Sequence, residues 1–146
     1  MATVRKSAIV SSSCEAMFAL VEDIESYPGF LPWCSGTEVF ERRPGITRAR
    51  LDVSYHGLRT HITTLNRKYA PERIELEFED GPFERFGGEW RFAPLGAEGC
   101  KVELALDYEF SSKALAKLLG PLFGNIADTM VESFVQRAQV RGKEAP

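Results

Sequence analysis

His56 and His61 are the only two imidazoles in the chain, so a search for proton-transfer chemistry starts with them. A nucleophilic mechanism would pair one of them with an activated serine or cysteine. The sequence has no Gly-x-Ser-x-Gly elbow to present such a serine. Both histidines fall among polar neighbours on adjacent strands or their turn, where surface positions are expected. Glu75, Glu77 and Glu79 recur at every second residue and share one strand face, a pattern that resembles paired catalytic carboxylates. The same alternation turns them away from Ile74, Leu76 and Phe78, which makes a solvated face the simpler expectation. Cys14, Cys34 and Cys100 lie far apart and form no Cys-x-x-Cys pair. Neither a zinc site nor a disulfide framework is expected. "FGGEW" offers two glycines but no Lys-Ser/Thr and no strand-to-helix context for a phosphate. Asp23, Arg85 and Arg91 are the polar residues nearest to apolar loops; each could orient a polar head or simply make a salt bridge or turn contact. No catalytic set, metal site or cofactor motif emerges.

Apolar surface in unusual places emerges instead. "DIESYPGFLPWCSG" (Asp23–Gly36) groups Tyr27, Phe30, Leu31 and Trp33 around two prolines, which bar a long helix. "DGPFERFGGEWRF" places Phe83 and Phe86 beside a turn, with Trp90 and Phe92 opening a strand. Aromatic loops beside an incompletely closed core are what the entrance of a hydrophobic-ligand site requires. The competing reading is that they plug the open end of a sheet.

The elements that would position these residues follow from periodicity. Thr3–Val10 reads as a first strand, and Ser12 with Glu15 three residues later reads as a capping box. A short helix then carries Met17, Phe18, Leu20, Val21 and Ile24 on one side. From Thr37 to Phe110 the period is two, clearest at Ile74–Phe78 and at Val102–Phe110. Such alternation predicts antiparallel strands with one dry face and one wet face. Turn-type clusters at "RPGI", "YHGL", "APER", "DGPF" and "LGAEG" divide the region into about six strands. After Lys113, Leu115, Leu119, Leu122, Ile126, Met130 and Phe134 return to steps of three or four. That predicts a long helix, kinked or divided at Gly120-Pro121.

Composition bounds the rest. The 146 residues suit one domain, 1–146, with 44% apolar and 27% charged residues, the balance of an ordinary globular chain. A net charge of −3 carries no DNA-binding footprint. The N-terminus has too short an apolar run for a signal peptide, and no segment could span a bilayer. A cytoplasmic protein with reduced thiols is expected.

The motifs "DIESYPGFLPWCSG", "DGPFERFGGEWRFAP" and "DYEFSSKALAKLLGPLFG" together resemble the coenzyme Q-binding START-like family, over nearly the whole chain. The resemblance implies an α+β helix-grip fold, a curved seven-stranded antiparallel sheet around a long C-terminal helix. It implies binding of ubiquinone or a similar lipid in support of respiration, with peripheral contact at the inner membrane, and no enzymatic turnover. In the family's bacterial toxin branch it implies binding of the large ribosomal subunit and a block of subunit joining. Pro121 departs from the smoother helix of the family. By position, Tyr27-Pro28, Phe30 to Trp33 and Gly81 to Phe83 would form the cavity mouth.

The leading expectation is a binding protein for a quinone or polyprenyl lipid. Its ligand-contacting set comprises Phe30, Leu31, Trp33, Val53, Tyr55, Phe83, Phe86, Trp90, Leu122, Phe123, Ile126 and Met130. Phe30, Leu31 and Trp33 would form one lip and Phe83 and Phe86 the other. A ribosome-binding regulator comes second, with Lys113, Lys117, Arg137, Arg141 and Lys143 as its basic candidates. An aromatase/cyclase-type enzyme comes third, since fold does not settle function.

Overall fold

Seven strands occupy the period-two segments: β1 (Ala2–Val10), β2 (Cys34–Arg43), β3 (Ile46–Tyr55), β4 (Leu58–Tyr69), β5 (Arg73–Asp80), β6 (Phe83–Leu95) and β7 (Gly99–Phe110). The computed structural model describes residues 2–144, with side chains up to Val140. The strands form one sheet in the order β1-β7-β6-β5-β4-β3-β2. Every neighbouring pair is antiparallel. From β2 to β7 consecutive strands are joined by tight turns, and β7 pairs with β1 at the edge of the sheet. At the β3–β4 turn His56 and Gly57 both have positive φ (50° and 82°), the pair of values that a two-residue hairpin of the primed type needs. His56 is therefore a turn residue, and His61 is an exposed partner of Asp80 at 2.9 Å.

The dry face is the one expected from the alternation. Cys100, Val102, Leu104, Leu106 and Tyr108 of β7 are buried, as are Val53, Ile74, Trp90 and Phe92, while Tyr55 is half-buried against them. Asp52, Glu75 and Glu103 lie on the opposite, wetter face. Register shifts in β2, between β4 and β5, and at the start of β6 bend the sheet. At Gly88 a Cβ would stand 2.2 Å from the Ala105 carbonyl. Only glycine lets β6 approach β7 so closely there.

Two helices cover the concave face: α1 (Cys14–Glu22) and α2 (Lys113–Glu144). The cap of α1 is Ser13, not Ser12; its hydroxyl accepts from the Ala16 backbone N–H at 3.1 Å. Three residues beyond Ser13 stands Ala16, so no capping box forms. The helix ends at Glu22, and Ile24 falls in a short 3-10 segment, Ile24–Gly29, that accommodates Pro28. α2 runs through Gly120-Pro121 as one element rather than being divided. Lys117 and Pro121 are both exposed, so the Lys117 carbonyl that Pro121 cannot pair lies on the wet side, where water satisfies it. Leu119, Leu122, Ile126 and Phe134 are buried on the face read from the spacing.

Candidate ligand cavity

The concave sheet and the two helices do not close completely. A cavity of about 90 Å³ remains between them. β3 contributes Ala49, Leu51 and Val53; β4 contributes Ile62, Thr64 and Asn66; β5 contributes Ile74 and Leu76. Phe86 and Trp90 of β6 and Leu104, Leu106 and Tyr108 of β7 complete the sheet side. Phe123, Ile126, Ala127 and Met130 come from α2, and Val21, Ile24, Tyr27 and Trp33 from α1 and the segment after it.

Of the twelve residues expected to contact a ligand, seven are in this wall: Trp33, Val53, Phe86, Trp90, Phe123, Ile126 and Met130. Leu31 and Leu122 are buried in the core outside the wall, and Tyr55 is half-buried with its ring against His56 at 4.1 Å. Phe30 packs on Phe134, centroids 5.1 Å apart, and carries the Arg137 guanidinium over its ring at 5.4 Å. Phe83 is the hub of a second aromatic group, within 6.0 Å of Phe78, Phe86, Tyr108, Phe110 and Phe123.

The expectation that Phe30, Leu31 and Trp33 form a lip of the entrance therefore needs correction. Trp33 is only 3% exposed and Leu31 1%. Phe134, already on the apolar stripe read from the spacing of α2, anchors the same loop through long-range contacts that no local pattern announces. It makes edge-on contacts with Tyr27, Phe30 and Trp90 at 5.1–5.3 Å and pulls the loop down onto α2. Tyr27 is further fixed by a short hydrogen bond from its hydroxyl to the Val21 carbonyl.

The lining has few polar groups. The Thr64 hydroxyl donates to the Asn66 side-chain oxygen at 2.7 Å. Thr47, opposite Asn66 in the β3–β4 register, is buried, and its hydroxyl has no partner among the described residues. The Trp33 Nε1–H is likewise buried without an acceptor among them. Sequence reading missed Thr64 and Asn66, although "ITTLNRKY" in β4 signals them by carrying polar residues on both faces.

Desolvation keeps the buried ionisable groups neutral. Burial pushes the Cys34 thiol up to about 11, against the Gly36 carbonyl hydrogen bond that lowers it. Burial, followed by its contact with Cys14, pushes Cys100 up to about 12. Thiols so raised stay protonated at neutral pH and are poor nucleophiles. Burial also raises Tyr27 and Tyr108. Of the other polar candidates, Arg91 pairs with Glu89 at 2.6 Å, Ser26 donates to Asp23, and Arg85 borders an open cleft on the convex side.

That cleft reaches the cavity wall. Its charged rim includes Arg67, Glu75, Glu77 and Glu84, and its floor includes Leu76 and Phe86, which also line the cavity. The β5–β6 ladder ends at Glu77↔Gly87. Beyond it β5 stays with β4, through Thr63↔Asp80, and β6 stays with β7, through Phe83↔Phe110. The sheet is thinnest at this divergence.

The convex face is a lattice of ion pairs: Arg48 with Glu41 and Glu79, Arg50 with Glu38 and Asp52, Arg67 with Glu77, and Arg73 with Glu75. Lys113 and Lys117 are exposed and Arg137 is half-buried. The side chains of Arg141 and Lys143 lie outside the described residues. No helix among the described residues is long and apolar enough to cross a membrane, and those residues include no metal-binding cluster of His, Cys, Asp and Glu.

A family profile described as "Polyketide cyclase / dehydrase and lipid transport" matches residues 10–135. The ribosome association toxin RatA of Escherichia coli is 39% identical over 139 residues, covering 95% of this chain and 88% of that protein. The mitochondrial coenzyme Q-binding protein COQ10 homolog B of Xenopus laevis is 27% identical over 138 residues, 91% of this chain and 56% of that protein. Among solved structures, the Zhui aromatase/cyclase from Streptomyces sp. R1128 superposes with a TM-score of 0.84. It is 18% identical, with 96% of this chain and 94% of that one covered, and so speaks for the fold alone.

Proposed function

Given that the chain belongs to the polyketide cyclase/dehydrase and lipid-transport family, we propose that it binds a hydrophobic small molecule, a ubiquinone-type lipid, without transforming it. The observation that carries this reading is the apolar cavity gripped between sheet and α2, which has no histidine, lysine, arginine or carboxylate in its wall. Such a wall supplies no general acid or base of the strength that turnover requires. It does favour apolar ligand atoms, at about 0.8 kcal/mol per buried CH₂.

The cavity is smaller than its ligand. About 150 Å³ is the size of an engineered cavity that takes benzene, against about 90 Å³ here. Binding a substituted quinone ring therefore requires the wall to yield. Met130, half-buried on α2, is unbranched and adaptable, and Phe86 stands at the thin part of the sheet. Solvent extraction of the purified protein followed by mass spectrometry tests the reading: a stoichiometric quinone or prenyl lipid is expected. An extract free of lipid, together with no uptake of added quinone, would contradict it.

A second reading, association with the large ribosomal subunit, is favoured by the likeness to a ribosome association toxin over 95% of the chain. It would use the exterior. The pairing of the convex-face arginines with carboxylates weakens any attraction to RNA phosphates there. Co-sedimentation with isolated large subunits in a low-salt gradient tests it directly.

A further inference from the structure

We infer that the ligand presents an uncharged acceptor oxygen, of the carbonyl type, to the indole N–H of Trp33. This rests on the cavity reading above and names the chemistry that the cavity selects.

The Trp33 side chain lines the cavity and is 3% exposed, and its Nε1–H has no acceptor among the described residues. An indole nitrogen is a donor only, so no reorientation can turn it into a satisfied acceptor. A buried donor left unpaired costs the full desolvation of that group, and native interiors rarely leave one so. The backbone around it is well held: the Trp33 carbonyl accepts from the Ser54 N–H at 2.8 Å, and Cys34 pairs with Val53. The main chain that carries the indole is thus fixed, and the polar edge of the ring is unmet.

The environment sets the acceptor's charge. No lysine, arginine or histidine lines the cavity, so a carboxylate brought to Trp33 would be buried without a counter-ion, at a large cost. A ketone, quinone or ester oxygen meets the N–H without that cost. The other polar spot, Thr64 with Asn66, pairs with Ala49 and Thr47 of β3. Thr64, the nearer of the two, pairs with Ala49, four residues and about 13 Å along the extended strand from Val53, the partner of Cys34. The cavity then prefers quinones over fatty acids and over oxygen-free hydrocarbons of the same shape.

The test compares decylubiquinone with decylbenzene, which keeps the tail and ring but has no ring oxygen, on wild type and Trp33→Phe. The variant is expected to raise the Kd for decylubiquinone about three- to ten-fold more than the Kd for decylbenzene, as for loss of one hydrogen bond. Proton–nitrogen NMR of the wild type supplies a readout independent of the variant's folding. The indole N–H resonance of Trp33 should move downfield, as for a new hydrogen bond, with decylubiquinone and not with decylbenzene. Equal loss for both ligands, or a Trp33 N–H indifferent to bound quinone, overturns the inference while leaving the cavity reading intact. A wild type that binds neither ligand overturns both.

Discussion

Phe134 has no exposed surface and meets three aromatic rings, Tyr27, Phe30 and Trp90. It joins the helix, the loop and the sheet at one point. Phe134→Ala should lower unfolding free energy by about 3–5 kcal/mol, read from urea denaturation; a loss below 1 kcal/mol would show that the loop is held by other means. Trp33 belongs to the same buried layer, so its truncation to alanine should cost folding on that scale and not the smaller amount expected of a rim residue. Titration gives a further residue-scale prediction. Cys34 and Cys100 titrate higher in the folded protein than ordinary thiols, and Tyr27 higher than an ordinary phenol. The stability they contribute is complete below the unfolded values, about 8.5 for cysteine and 10 for tyrosine. It is lost as pH rises toward the folded values. The melting temperature should therefore stay level through pH 8 and fall above about pH 9. A level profile through pH 11 would contradict the burial of these groups.

At the scale of elements, legibility tracks how local the cause is. β7 could be read residue by residue because its alternation, Val102 to Tyr108, is complete. The buried face of α2 was legible from its three- and four-residue steps. The segment Asp23–Gly36 was not, because the burial of Leu31 and Trp33 depends on α2, far along the chain. The cap at Ser13 was missed because three consecutive serines, Ser11 to Ser13, offer competing positions and only backbone geometry chooses among them. Ile126→Asp, which places an unpaired charge in the cavity wall, should abolish quinone binding or unfold the protein. Wild-type stability with binding retained would show that this face is not the one gripped. The divergence of β5 and β6 argues for a kinetic effect: Leu76 and Phe86 line both cavity and cleft there. Phe86→Ala should speed both association and dissociation of decylubiquinone in stopped-flow experiments, with a smaller change in Kd. Unchanged rates would place the route elsewhere.

For the molecule as a whole, two surfaces compete for the function. The exterior carries paired charges, which individually contribute little, about 0–1 kcal/mol each, and leave the net charge at −3. The interior carries a small apolar cavity whose wall includes the unmet indole N–H of Trp33. The two readings separate cleanly because both tryptophans of the chain, Trp33 and Trp90, line the cavity, so intrinsic fluorescence reports on its contents and not on the exterior. The most direct measurement is a titration of the protein with decylubiquinone, followed by tryptophan emission. Cavity binding predicts saturable quenching with one ligand per chain, absent in Ile126→Asp. Linear, non-saturating quenching in a protein that nonetheless co-sediments with large ribosomal subunits would contradict it.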